Sequence, residues 1–518
     1  MPHRKTIAIV ATTLAGAVSR ASSLLSQVIV GLYLTEQEVG VYALAIGIMG
    51  VTAVWRNGGS GTFLPSIKPE SFDRLANPMF LWATAFGLAT TLLTLAIAAA
   101  PQSAPGWLVG GAPTGLSAVL TVFAIRAALS PIALIGRMRL SVEHRFVPLA
   151  KLDTANAMAR LLMTAIIAIK GGGALALAIP YAIQVPIEIA VVGLLGGLRR
   201  QDFVPSPRAL LVAAPLLGWP LVLAVFTSVR LDLSFLMISM ALPTTALGVF
   251  YFAFQLANQP TMFLATSLQN VLAPILARSR GNPQLERIGL ERVFAGAMLF
   301  VPITTMAAAS MFDATDQVLW GGRWQAAVPS VMALCVGATY ATVAGLIFGP
   351  LIGLQRFKEG AAFEVIKTAG VAGGAIVGGV AVTHWSPESL WGLSPVTCVS
   401  LAVAAGMVVT SLAQLLWIAN RFGFDRTETA RHLTFGPLLA ALTAVAAQSI
   451  GHSLRMSLDL PEGRAGAAVE LFAIAVIYAV LITLAVRFTA ESTLTDTLAM
   501  LPVRVRGIAG RLLRISGI

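Results

Sequence analysis

Long apolar stretches alternate with short polar gaps along all 518 residues. A helix needs ~20 largely apolar residues to cross a bilayer. The pattern predicts fourteen spans: 7–34, 40–66, 76–100, 107–135, 147–169, 173–198, 209–240, 244–276, 291–312, 325–354, 361–383, 393–419, 433–451 and 467–487. The gaps between them are too short to hold a folded extramembrane domain. The first stretch opens with a basic start and a short apolar core, as a secretory signal does. Its apolar run continues to about Leu34, so it reads as an uncleaved first span.

Several spans carry a polar stripe at helical spacing. In the first, Thr12, Thr13, Gly16, Ser19, Arg20, Ser23, Ser26 and Gln27 share a face. In the second, Tyr42, Met49, Thr52, Arg56 and Ser60 do so less cleanly. Asp153, Asn156, Arg160 and Thr164 line up in the fifth, and Gln255, Asn258, Gln259, Met262, Thr266, Gln269 and Asn270 in the eighth. Lipid would leave such groups unsatisfied, so these faces look at other helices or at water. For the Ser and Thr positions, ordinary interhelical hydrogen bonding explains the stripe equally well.

The chain also repeats itself. With a shift of 208 residues, LTEQEVGVYALAIGI (34–48) overlies LPTTALGVFYFAFQL (242–256), so that Gly40 meets Gly248 and Tyr42 meets Phe250. With a shift of 219, PIALIGRMR (131–139) overlies PLIGLQRFK (350–358). Both copies enter the membrane from the same side, which is a parallel repeat about an axis along the membrane normal. The expected organisation is two six-helix bundles, 1–200 and 201–420, followed by two extra spans in 421–490 and a tail over 491–518.

Composition and charge narrow the class. A chain 57% hydrophobic and 11% charged, with mean hydropathy +0.82, is a polytopic all-α membrane protein. A soluble domain of this size could not hide that much apolar surface. Of thirty-five Lys and Arg residues, twenty-six fall in alternate gaps or at the span edges beside them, four in the other gaps and five deep inside spans. Basic residues concentrate in cytoplasmic loops, so the alternate gaps and both termini are assigned to the cytoplasm. The net charge of +12 follows this alternation, which points to the anionic leaflet and its lipids rather than to nucleic acid. In the tail, Leu501, Val505, Ile508, Leu512 and Ile515 repeat beside Arg504, Arg511 and Arg514, predicting a basic amphipathic helix on the inner leaflet.

The five arginines deep inside spans are Arg20, Arg56, Arg126, Arg160 and Arg230. Each costs about 2.5–3.5 kcal/mol on insertion scales, and five facing lipid would cost roughly 12–18 kcal/mol. Snorkelling relieves a charge near a span end, as at Arg126. The deep acids Asp153, Glu188 and Asp232 are too few to neutralise all five. Cationic surface is therefore expected to remain for an anionic ligand, and a guanidinium fork matches phosphate. The candidate substrate-binding residues are Arg20, Arg56, Arg160 and Arg230, with Gln27, Gln255 and Asn258 from the stripes. Asp232 and Glu188 are the candidates for ion coupling. Pro65, Pro131, Pro220, Pro260, Pro274 and Pro350 allow bends or simply shape the helices.

Enzyme chemistry has little support. His3, His144, His384, His432 and His452 are scattered, and no cluster of catalytic acids stands near one interface. Cys335 and Cys398 both lie in apolar stretches, so neither a disulfide framework nor a metal site is expected. The GGG run at 171–173 sits in a span junction without the strand and helix of a phosphate loop. No catalytic residue, metal or cofactor is assigned.

RASSLLSQVIVGLYLTEQEVGVYALA (20–45) closely resembles the opening of bacterial polysaccharide-transport flippases. These belong to the multidrug/oligosaccharidyl-lipid/polysaccharide exporter superfamily. LDLSFLMISMALPTTALGVFYFAFQLANQP (231–260) resembles the start of their second half, including an acid in span seven, here Asp232. The resemblance implies a V-shaped pair of six-helix bundles around a cationic cavity, with Arg20, Arg56 and Arg230 the best matches by span. It also implies movement of undecaprenyl-pyrophosphate-linked oligosaccharide across a bacterial inner membrane, for O-antigen or exopolysaccharide synthesis. A polysaccharide polymerase and other assembly proteins are the implied partners. Many members have twelve spans, so the extra pair here is a departure. Such a pair resembles the lipid II flippase branch, but the GVYALA entry to span two lacks that branch's acidic start. A multidrug antiporter of the same superfamily is the alternative, and five arginines argue against its usual cationic substrates. A membrane polymerase is a more distant one.

Overall fold

The computed structural model describes residues 2–52, 69–99, 113–204, 207–279, 283–353, 357–384, 392–458, 461 and 463–489. Among these are fourteen α-helices. They are α1 (Pro2–Tyr33), α2 (Glu36–Thr52), α3 (Pro69–Ala99), α4 (Leu116–Val142), α5 (Phe146–Ile169), α6 (Leu175–Leu194) and α7 (Pro207–Ser239). The second seven are α8 (Thr244–Ser279), α9 (Pro283–Trp320), α10 (Val328–Gly353), α11 (Phe357–His384), α12 (Pro395–Phe422), α13 (Arg426–Ser457) and α14 (Arg464–Thr489). Each overlaps one predicted span, and no strand occurs among the described residues. Eleven are long and apolar enough to cross a membrane, or twelve with α7 counted across its bend. The protein is an all-α membrane protein. The predicted tail helix, Arg56 and Arg356 lie outside the described residues.

Local chemistry sets the helix ends. Thr35 and Glu38 form a capping box at α2: Glu38 N donates to Thr35 Oγ1 (3.2 Å), and Thr35 N donates to the Glu38 carboxylate (2.7 Å). Asp425 caps α13 by accepting from the backbone N of Thr427 (2.8 Å) and Glu428 (3.0 Å). Hydrogen bonds from the Thr427 side chain and the Glu428 amide hold its carboxyl below the usual carboxylate range. The GGG run makes the α5–α6 turn, with Gly171 and Gly173 at φ 74° and 53°, a region that costs glycine little.

The chain divides into two compact units. One is Met1–Gln255 with Gln355–Gly406, and the other is Leu256–Leu354 with Met407–Ile518. In the first, α1 packs on α5, α3 and α6 on α4, and α7 on both α2 and α11. The internal repeat surfaces here as a contact. A methyl on Gly40 would overlap the carbonyl of Thr244, and a methyl on Gly248 would overlap the carbonyl of Glu36. The shift of 208 relates Gly40 to Gly248 and Glu36 to Thr244. Each copy therefore offers its glycine to the other's backbone, as a local twofold axis requires.

The α4 end of this unit is fixed by a buried ion pair. Arg139 and Asp202 are each 1% exposed and make a two-bond fork at 2.6 and 2.6 Å. Arg139 also donates to the Gly197 carbonyl (3.0 Å), and Asn77 donates to the carbonyls of Asp202 (3.0 Å) and Val204 (2.8 Å). The segment leaving the first six helices is thereby tied to α3 and α4.

In the second unit, α9 packs against α10, α13 and α14. Gly436 of α13 sits on the Met298 carbonyl with no room for a methyl. The Tyr478 hydroxyl of α14 donates to the Ile303 carbonyl (2.7 Å), and Arg455 bridges Glu470 (2.7 Å) and Gln317 (2.9 Å). The two extra helices are integral to this unit's packing.

Candidate functional site

The site grows from the arginines inside the first unit. Two of the three deep acids are committed to a cation that the charge pattern placed in a loop. Arg137, near the end of α4, pairs with Asp153 of α5 (2.5 Å) and Glu188 of α6 (2.9 Å). Neither carboxylate is therefore spent on the arginines deeper in the spans.

Those arginines gather on an aromatic ring instead. The Arg126 guanidinium of α4 lies 5.0 Å from the Tyr181 ring centroid, and that of Arg160 in α5 lies 5.3 Å from it. Arg160 Nη1 also donates to the Tyr181 hydroxyl (3.3 Å). Both guanidiniums approach one ring, so their carbons are at most about 10 Å apart. At an effective dielectric of 20 that separation means repulsion of at least about 1.6 kcal/mol. Two cation–π contacts of about 0.5–2 kcal/mol each offset it. Arg20 of α1 is near enough to Arg160 to feel its charge as well. An anion entering this group would meet several converging positive charges. Arg126 thus finds an aromatic partner, where snorkelling was the expected relief.

A cavity of about 460 Å³ opens beside the group, among α1, α4, α5 and α6. Gly16, Ser19, Arg137, Asp153, Asn156, Arg160 and Gln184 line it. Asn156 is 5% exposed, and its Nδ2 has no hydrogen-bond partner among the described residues. A buried amide donor without an acceptor is costly, and a ligand oxygen would satisfy it.

Residues of the second repeat come near the same centre. Tyr42, Tyr181 and Tyr251, three of the chain's six tyrosines, lie near one another, and the Tyr42 and Tyr251 rings are 5.7 Å apart. Gln255 donates to the Tyr251 hydroxyl (2.6 Å). Asp232 packs its Cβ against Gly50 of α2 and lies within electrostatic reach of Tyr251.

Of the candidates, Arg20 and Arg160 therefore belong to one group, with Gln255 linked through the tyrosines. Gln27 is half-buried on α1, and Asn258 is half-buried on α8, where its carbonyl accepts from Thr261 (2.8 Å). Arg230 is engaged elsewhere, with Glu364 of α11 at 3.6 Å. Arg56 is outside the described residues. Tyr181, Tyr251, Glu364 and Lys367 were missed by reasoning from sequence. Tyrosine scores as apolar in a hydropathy pattern, so only its scarcity here could have drawn notice. Ordinary interhelical hydrogen bonding accounts for the described part of the span-two stripe. Thr94 donates to Thr52 (3.2 Å), and Thr90 donates to the Thr52 carbonyl (2.9 Å).

Residues 29–329 match the family described as polysaccharide biosynthesis protein. The chain belongs to that family. Its fold is similar to that of the lipid II flippase MurJ in an inward closed conformation. The TM-score is 0.63 at 12% identity, covering 92% of this chain and 98% of that one. It is also similar to a MATE protein solved in complex with MaL6, with TM-score 0.53 and 13% identity over 80% of this chain and 96% of that one. The eukaryotic MATE transporter AtDTX14 gives TM-score 0.50 at 14% identity, covering 84% and 99%. No curated protein matches. Family and fold together bear out the resemblance to flippases of the polysaccharide-exporter superfamily.

Proposed function

We propose that this membrane protein moves undecaprenyl-pyrophosphate-linked oligosaccharide units from the cytoplasmic to the periplasmic leaflet of a bacterial inner membrane. The product would feed surface polysaccharide assembly, with a polymerase acting next. The observation that carries this reading is the gathering of Arg126 and Arg160 on Tyr181, with Arg20 near and Asp153 and Glu188 already held by Arg137. A diphosphate brings charge of the opposite sign to this group, and guanidinium forks can take its oxygens in pairs. The Asn156 amide offers a further donor in the adjoining cavity.

In this reading both termini are cytoplasmic. Residues 1–200 and 201–420 act as the two six-helix bundles of an alternating-access cycle, and 421–490 is an added helix pair. The protein makes and breaks no covalent bond. It lowers the barrier for a polar head by giving it a solvated, charge-matched path, while the polyprenyl tail stays in lipid. A cation antiporter is disfavoured because two deep carboxylates are neutralised within the protein.

The test is translocation in proteoliposomes of defined substrates. The reading expects a pyrophosphate-linked oligosaccharide to cross and a lipophilic cation not to. Lipid II shares the diphosphate and serves as the comparison for sugar selectivity. Transport of the cation with no movement of either diphosphate lipid contradicts the proposal.

A further inference from the structure

Two levels of polar side chains cross the helices α4, α5 and α6, and each helix supplies one residue to each level. At the level deeper in the spans, Arg126 of α4 and Arg160 of α5 approach Tyr181 of α6. At the other, Arg137 of α4 bridges Asp153 of α5 and Glu188 of α6. Arg160 is seven residues after Asp153, Glu188 seven after Tyr181, and Arg137 eleven after Arg126. These intervals are close to two and three whole helical turns, so each helix shows one face to both levels. On α5 and α6 the levels stand about 10 Å apart along the axis. The cavity of about 460 Å³ joins them. Arg137 and Asp153 line it together with Arg160, and the amides Asn156 and Gln184 come between.

This arrangement places a rival for the substrate inside the protein. Helical side chains lean towards the helix N-terminus, so Arg160 leans along α5 towards Asp153. A carboxylate is a stronger partner for guanidinium than an aromatic face. Arg160 nevertheless stays on Tyr181, because Asp153 is taken. Arg137 donates from Nη2 to Asp153 Oδ1 (2.5 Å) and from Nη1 to Glu188 Oε1 (2.9 Å).

We propose that Arg137 is a positioning residue for the diphosphate head. It holds Asp153 and Glu188 away from the arginine level and so leaves the Arg160 fork open to phosphate. Without it, Asp153 draws Arg160 off the ring, and the formal charge of the outer level rises from one negative to two. One unit charge about 10 Å from a phosphate, at an effective dielectric of 20, changes affinity by about tenfold. The effect on affinity rests on the proposed diphosphate substrate, whereas the capture of Arg160 by Asp153 does not.

Two measurements in nanodiscs test the proposal. The first needs no substrate: the rate at which phenylglyoxal modifies Arg160, read by peptide mass spectrometry. Arg137→Gln should slow that rate, and Arg137→Gln/Asp153→Asn should restore it. The second is binding of a pyrophosphate-linked oligosaccharide. Arg137→Gln should weaken it about tenfold or more, and the double variant should recover most of the loss. Arg137→Lys keeps a charge with three donors for the two acids and should lose only a few-fold. A tie that merely joins three helices behaves differently, since removing a second partner cannot repair it. Unchanged Arg160 reactivity in Arg137→Gln, a double variant no better than the single, or a loss of tenfold or more in Arg137→Lys overturns the proposal. The expected reactivity pattern in a protein that binds no diphosphate lipid supports the positioning role and contradicts the proposed substrate.

Discussion

The reciprocal crossing of α2 and α8 makes a quantitative prediction. At Gly40 the obstacle to a methyl group is the Thr244 carbonyl, and at Gly248 it is the Glu36 carbonyl. Both obstacles are backbone, so no rotamer change can clear them and the helices must separate. Overpacking of this kind costs about 1–3 kcal/mol. The overlaps are severe, which favours the upper part of that range. Alanine's helix propensity returns up to about 1 kcal/mol. The net loss for Gly40→Ala or Gly248→Ala is then near 1–2 kcal/mol. Gly16 on α1 is the internal control, because a methyl there meets nothing within 4 Å. Gly16→Ala should be neutral or stabilising, keeping only the propensity gain. Because either substitution opens the same gap, the double variant Gly40→Ala/Gly248→Ala should lose less than the sum of the singles, by about 0.5 kcal/mol or more. Thermal unfolding of the purified protein in micelles, read across all four variants, measures these differences. Single variants that melt with the wild type, or costs that add in full, would refute the shared twofold contact.

Other substitutions probe the remaining links. Arg139→Met should cost about 3–5 kcal/mol by stranding the buried Asp202 carboxylate, and adding Asp202→Leu should recover much of it; denaturation of the three proteins decides. Tyr181→Phe removes only the hydroxyl bond to Arg160 and should weaken binding of a diphosphate lipid a few-fold. Tyr181→Leu also removes both cation–π contacts and should weaken it about tenfold or more in a nanodisc binding assay, whereas equal effects would deny the ring its role. Gly436→Ala should push α13 off the Met298 carbonyl and lower the melting temperature, with Tyr478→Phe costing less, about 0.5–1.5 kcal/mol, because it loses one hydrogen bond.

The helices were legible because bilayer thickness imposes one length on every span, and fourteen apolar runs became α1 to α14. The repeat was legible at 34–48 and 242–256 because close backbone approach demands glycine at the same place in both copies. Partner choice was not. Asp153 found Arg137, sixteen residues away in sequence, and Glu188 found the same arginine from fifty-one away. Helical spacing along one span carries no information about such pairs. Lys367 was hidden for a related reason. It stands nine residues from Lys358, at the edge of an apolar run, where a charge reads as loop until packing shows that α7 covers it. The arginines themselves were visible as an expense that hydrocarbon cannot meet. The ring that gathers two of them was not, since Tyr181 lies in a helix that otherwise reads as apolar.

In the proposed transport cycle the guanidiniums of Arg20, Arg126 and Arg160 receive a diphosphate head. Its most direct test is the flipping rate of a pyrophosphate-linked oligosaccharide in proteoliposomes, comparing wild type with Arg20→Gln, Arg126→Gln and Arg160→Gln at matched insertion. A loss of about tenfold or more is expected for Arg160→Gln, the size of one charged hydrogen-bonding group. Little movement of an uncharged polyprenyl glycoside by the wild type is expected as well. Wild-type rates in all three variants, or equal transport of the uncharged lipid, would contradict it.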